Sequence, residues 1–257
     1  MVFNNLRLCA AVLTAAAVAA GCGRGNEGPP AAATARPDAK RVDPATAGTV
    51  TGRVSFEGTV PQFPPIKLDS DPACAAQHPN GLPVDTIVVN NGGLENVFVY
   101  VKDGLGNYYF DTPTGPVTLD QKGCHYSPRV FGVRVGQPLV IVNSDPTMHN
   151  VHGAGNVNQQ FNFGQVVQGV KNTRTLTAAE VMMPFRCNVH AWMTAYAGVL
   201  PHPYFAVTAS GGAFELKDLP PGTYTIEAWH EKLGTSSQSV TLAEKDSKTV
   251  NFSFKAS

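Results

Sequence analysis

The stretch Cys187-Asn188-Val189-His190-Ala191-Trp192-Met193 packs a thiol, an imidazole and a thioether into seven residues. A second imidazole precedes it at His149, within Asp145-Pro146-Thr147-Met148-His149-Asn150-Val151-His152. Two imidazoles, one thiolate and a weak thioether are the donor set of a mononuclear electron-transfer copper site, with methionine in the axial position. The expected ligands of one type 1 copper are therefore His149, Cys187, His190 and Met193. Thiolate supplies a short covalent bond, imidazole suits both oxidation states, and the soft thioether favours Cu(I). A dinuclear oxidase-type centre would need a second cysteine in the loop, and the loop has none. The thioether argues against zinc.

Three ligands on one loop and a fourth from a distant segment need two strand ends that meet at a sheet edge. The chain beyond residue 48 supplies strands. Val50, Gly52, Val54 and Phe56 alternate with Thr51, Arg53, Ser55 and Glu57, the period-two pattern of a half-buried strand. Similar runs occur at 86–90, 96–102, 130–135, 138–143, 204–208, 213–216, 223–229, 237–242 and 248–254, punctuated by glycine and proline. A short helix is expected at 71–77, capped by Asp71 with Pro72 in its first turn, and a further helical turn near 178–181. The fold class is all-β, built as sandwiches. On an extended segment His149 and Val151 face one way, Asn150 and His152 the other. His152 is thus not a fifth ligand.

Two resemblances refine this. Tyr126-x-Pro128, Val133-x-Val135-Gly136-x-x-Leu139, Asn143-x-Asp145 and His149-Asn150-Val151 resemble the cupredoxins, and the loop Cys187-x-x-His190-x-x-Met193 has the short amicyanin spacing. This resemblance covers roughly 117–202. It implies a Greek-key sandwich and a hydrogen bond from Asn150 to the ligand loop. It also implies an electron exit at His190, whose ring edge is exposed in the family. Ala191 and Trp192 would flank that edge, unless Trp192 serves packing alone.

The run from Ala206 to Tyr224, with Gly212-x-Phe214 and Leu219-Pro220-Pro221-Gly222-x-Tyr224, resembles carboxypeptidase regulatory-like modules, which are transthyretin-like sandwiches. Gly48-x-Val50-x-Gly52-x-Val54 is similar to their opening strand. We therefore expect one sandwich from 49–115 and 204–257, interrupted by a cupredoxin domain at 116–203. Two consecutive domains, or a single enlarged sandwich, are the alternatives.

The amino-terminus reads as an export signal. Arg7 precedes an apolar run over 8–20, too short to span a bilayer, and Ala19-Ala20-Gly21-Cys22 resembles a bacterial lipobox. This implies a lipoprotein signal peptide at 1–21 and lipidation at Cys22; an ordinary secretory signal is the alternative. Residues 22–48 are small, polar and proline-rich and read as a disordered tether. The expected location is the bacterial cell envelope, as a periplasmic or outer-membrane lipoprotein held to the membrane by its lipid alone.

Five cysteines remain to be placed. Cys9 leaves with the signal, Cys22 carries lipid and Cys187 serves the metal. Cys74 and Cys124 are expected to form a disulfide, the usual state of exported thiols. A second metal site using His78 and His125 is the rival assignment.

Lys and Arg number 19, as do Asp and Glu, so the chain has no net charge, and no basic block suggests nucleic acid. No catalytic triad or open metal position marks an enzyme. The expected activity is single-electron transfer between redox proteins such as a c-type cytochrome or a dehydrogenase. The competing readings are copper binding and delivery, an envelope-interaction module, or a cupredoxin-like fold without copper, in which Cys187 is a buried thiol and Met193 a core filler.

Overall fold

The structure, a computed structural model, describes residues 38–256 together with Met1. The rest of the signal segment, Cys22 and tether residues 22–37 lie outside the described residues. No helix among the described residues is long and apolar enough to cross a membrane.

The chain begins with β1 (Gly48–Glu57), α1 (Pro72–Gln77), β2 (Val89–Asn90), β3 (Gly93–Leu94) and β4 (Phe98–Asp103). It continues with β5 (Val117–Gln121), β6 (Tyr126–Ser127), β7 (Val130–Arg134), β8 (Pro138–Asn143), β9 (His149–Gly153), β10 (Phe161–Gln165), β11 (Lys171–Thr175), β12 (Glu180–Arg186) and β13 (Thr194–Leu200). It ends with β14 (Phe205–Val207), β15 (Ala213–Leu219), β16 (Gly222–His230), β17 (Gly234–Leu242), β18 (Ser247–Thr249) and β19 (Phe252–Lys255). The described residues are all-β apart from one short helix.

Four sheets form two layered cores. β1 pairs with β15, β18, β19 and β3, while β14, β4, β16 and β17 form the facing sheet. Val50, Val54, Val99, Phe214, Tyr224, Ile226 and Phe252 are buried between them. The second pair comprises β10-β9-β12-β13-β7 and β11-β8-β5-β6. Leu119, Phe131, Ile141, Val151, Phe185 and Ala197 fill it, together with Cys187 and Met193. Strand 48–57 thus pairs with strands drawn from 213–255, while the strands of 117–200, β5 to β13, pair among themselves.

The two cores meet through Phe98, Tyr100, Val130, Met182 and Leu200, with two glycines under the aromatic rings. Gly132 on β7 and Gly198 on β13 are register partners. A Cβ on Gly132 would stand 2.0 Å from the Phe205 ring, and one on Gly198 2.2 Å from the Phe98 ring. Those two rings stack on each other at 5.6 Å, so bare backbone is what lets a pair of aromatics settle there. Arg129 adds a buried polar link, bonding Glu231 and, at 2.5 Å, Asp85.

Three local expectations are revised. The helical turn near 178–181 is absent, because the Glu180 carboxylate instead accepts the backbone N–H of Asn156 and Asn158 at 2.6 and 2.9 Å. Residue 180 is thereby drawn into β12 opposite Val199. The run at 248–254 forms two strands: Val250 N donates to Thr51 O and Asn251 Oδ1 accepts from Arg53 N, which interrupts the ladder between β18 and β19. The last tether residues are held against the body. Lys40 pairs with the 107–109 segment through backbone bonds of 2.9 and 2.8 Å, and Arg41 meets Asp111 at 2.6 Å.

Candidate metal centre

The ligand loop joins two antiparallel neighbours, β12 and β13. It is closed by backbone bonds from Met193 N to His190 O and from Cys187 N to Met193 O. β9 lies on the other side of β12, with Arg186 opposite His152 and Phe185 opposite Gly153. Because the pairing is antiparallel, residues beyond Arg186 run toward the start of β9. The loop and His149 therefore meet at one end of the sheet.

Donor atoms of His149, Cys187 and His190 all lie within 4.8 Å of one another, and all three residues are buried. The two Nδ1 atoms are 2.9 Å apart, and Cys187 Sγ is 3.9 Å from His190 Nδ1. Met193 is 1% exposed and packs in the same core cluster as Cys187.

Each imidazole is held from behind by a carboxylate. His149 Nε2 lies 2.9 Å from Asp145 Oδ2, and His190 Nε2 lies 2.9 Å from Asp71 Oδ2. With both Nε2–H groups donated outward, the Nδ1 lone pairs converge on each other and on the sulfur. That arrangement requires a cation between the donors, either a proton or a metal. A carboxylate behind a ligating histidine fixes its orientation and strengthens it as a donor. The residues present fit a copper ion.

Electrostatics point the same way. Burial pushes the Cys187 thiol up, but hydrogen bonding to His149 and to the backbone N–H of Asn150, His190 and Val189 takes it below its ordinary value. Burial opposes the charged form of His149, yet Asp145 and Cys187 lift it to about 9. Asp145, despite its burial, is pulled down to about 2 by His149 and by the N–H groups of Cys124 and Gly123. Without metal, His149 is held in its charged form beside a thiol whose deprotonated form is favoured.

Asn150 ties the two ligand segments together. Its Oδ1 accepts from Asn188 N at 3.2 Å, and its own N–H reaches Cys187 Sγ at 3.3 Å. His152 sits on the opposite face of β9, half-buried, away from the cluster. Cys74 and Cys124 form a disulfide. His78 and His125 bond the Gly123 carbonyl instead of assembling a second metal site. The other acidic clusters, Asp71 with Cys74 and His190 and Cys124 with Asp145 and His149, are built on the bridged cysteines and the two carboxylate–imidazole pairs.

His190 departs from the expected exposed ring edge, being only 2% exposed. Residues 66–82 cover it: Leu68, Cys74 and Leu82 form a small apolar cluster with Cys124, against which Trp192 packs. Cys74 Sγ approaches His190 Nε2 to 3.9 Å. The Trp192 ring lies tilted against the His190 ring at 5.0 Å and donates to Cys124 O at 2.9 Å, so packing is its observed role. Neither Asp71 nor Asp145 had a part at the metal in the sequence reading: Asp71 carried the signature of a helix cap, and Asp145 stood only as a position of the Asn143-x-Asp145 resemblance.

No protein-family model matches the chain, and no curated protein does. Solved structures similar to part of it include a copper-containing nitrite reductase and several amicyanin variants. A copper-containing nitrite reductase from Thermus scotoductus is 21% identical over 35% of this chain and 23% of its own, with a TM-score of 0.31. A Cu(I) amicyanin variant is 20% identical over 34% of this chain and 85% of its own, TM-score 0.30. An oxidised amicyanin variant is 22% identical over 33% and 82%, TM-score 0.30.

Proposed function

We propose that this protein is an exported, membrane-tethered electron carrier built around one type 1 copper held by His149, Cys187, His190 and Met193. The observation that carries the reading is the convergence of three buried donors, one of them a thiol held below its ordinary pKa. Bound copper would supply one-electron exchange between Cu(II) and Cu(I).

The chain's own residues prepare that exchange. Asp145 and Asp71 hold both imidazoles with Nδ1 inward, and the N–H groups of Asn150 and His190, each 3.3 Å from Cys187 Sγ, stabilise the thiolate. Tyr126, whose hydroxyl donates to Asn150 O at 2.6 Å, steadies the strand that carries His149. Burial of all three donors supports a carrier over a delivery protein, which must present its metal to a recipient. The lipid at Cys22 and the tether would keep the carrier at the bacterial envelope within reach of other redox proteins.

The test is the visible spectrum of the purified full chain after addition of Cu(II). An intense thiolate-to-copper band that disappears in Cys187→Ser is expected. A colourless wild-type protein would refute the reading.

A further inference from the structure

We infer that Asp71 is a positioning residue for the copper: on a segment stapled over the site, it orients His190, biases the metal toward Cu(II) and closes the centre. The inference rests on the copper reading and deepens it. Asp71 lies outside the strands that build the ligand set, far from His190 in sequence, and reaches it through the fold alone.

Its two carboxylate oxygens serve opposite sides. Oδ1 caps α1, accepting from Ala73 N at 2.8 Å and Cys74 N at 3.1 Å. Oδ2 accepts from Thr147 Oγ1 at 2.8 Å and faces His190 Nε2 at 2.9 Å. Thr147 lies two residues before His149, so one oxygen bridges the segments that carry both imidazoles. The disulfide from Cys74, inside α1, to Cys124 pins the segment down. Apolar contacts of Leu68 and Leu82 close the space beneath it.

The sign of the electronic effect follows from charge. Cu(II) carries one more positive charge than Cu(I), so a carboxylate hydrogen-bonded to a ligand favours Cu(II) and lowers the reduction potential. Removing it must raise the potential. The same residue keeps His190 covered, so removing it must also speed metal loss.

Asp71→Ser separates the two roles. Serine caps a helix as well as aspartate does, but is too short to reach His190. Asp71→Asn keeps the length and loses the charge; its single amide oxygen can serve the cap or the histidine, not both. In the copper-loaded full chain, both variants should favour Cu(I) about tenfold more than wild type, a rise near 59 mV. Asp71→Ser should also lose Cu(I) to a chelator at least tenfold faster, with Asp71→Asn between it and wild type.

A potential unchanged in both variants overturns the inference, whatever the rate of metal loss. If Asp71→Ser does not fold, Asp71→Asn alone decides. Absence of the thiolate-to-copper band in wild type would defeat the copper reading itself. A blue wild type with unaffected variants would defeat only the role of Asp71.

Discussion

Acid should destabilise this protein through two histidines that are not in the candidate metal centre. His202 and His230 are 8% and 1% exposed. Each ring uses Nδ1 to accept a nearby backbone N–H, from Tyr204 and Lys232 respectively. Burial, with Arg134 near one and Arg129 and Lys232 near the other, lowers both pKa values to about 4. Between pH 6.5 and pH 4 the unfolded chain therefore binds up to two more protons than the native one, and stability falls as pH falls. At pH 5 each histidine contributes about 2 kcal/mol of this loss, so the pair should cost about 4 kcal/mol between pH 7 and pH 5. That is a large part of a typical domain's stability.

The other shifted groups act in different windows. His149, raised to about 9 without metal, contributes stability that is complete below its unfolded value near 6.5 and is lost as pH rises through 9. Asp145, depressed to about 2, contributes above its ordinary value and loses that contribution as pH falls through 2. Urea unfolding of the metal-free chain at pH 7, 6 and 5 reads the histidine pair against an opposing gain of about 1 kcal/mol from His149, and comparison with a variant lacking the pair separates the two. Substituting both by glutamine, which retains an acceptor but does not titrate, should flatten the slope. A wild-type change under about 1 kcal/mol, or an equal slope in the double variant, would refute the linkage.

Three further outcomes are expected. Gly198→Ala should cost about 1–3 kcal/mol in urea titrations, because its Cβ would sit 2.2 Å from the Phe98 ring; adding Phe98→Leu should return part of the loss. Replacing Cys74 and Cys124 together by alanine opens a 50-residue loop, for a loss of about 4 kcal/mol measured against the oxidised wild type. Arg129→Ala leaves Glu231, whose side chain is 4% exposed, without its cation. It should destabilise by about 3–5 kcal/mol, and adding Glu231→Gln should recover a substantial part in the same assay.

Much of the strand pattern was legible because alternation is local. Val50, Val54 and Phe56 announce a buried face, and β1 has that face. Asp71 and Pro72 likewise specify α1 from adjacent residues alone. The convergence of Cys187 with His190 could be read from a seven-residue loop, since a turn that short leaves the two side chains few places to go. Failures came where distant contacts decide. Glu180 looks helical beside Ala178 and Ala179 but is claimed by backbone donors at 156–158. The split between β18 and β19 depends on Thr51 and Arg53, almost two hundred residues earlier.

The covering of His190 belongs to the same class, and it shows why a motif alone misjudges a site's surroundings. The loop from Cys187 to Met193 specifies which atoms can meet a metal, but says nothing about what lies behind the outer nitrogen of His190. That is decided by Asp71, whose local sequence is fully explained by helix capping and so gives no hint of a second partner. The cap uses one oxygen and leaves the other directed away from the helix. Once Cys74, inside that helix, is bonded to Cys124, the free oxygen has little choice of position. Since Gly123 and Cys124 themselves donate to Asp145, which holds His149, the disulfide anchors both carboxylates at once. The stapled segment therefore lies between the His190 imidazole and the outside.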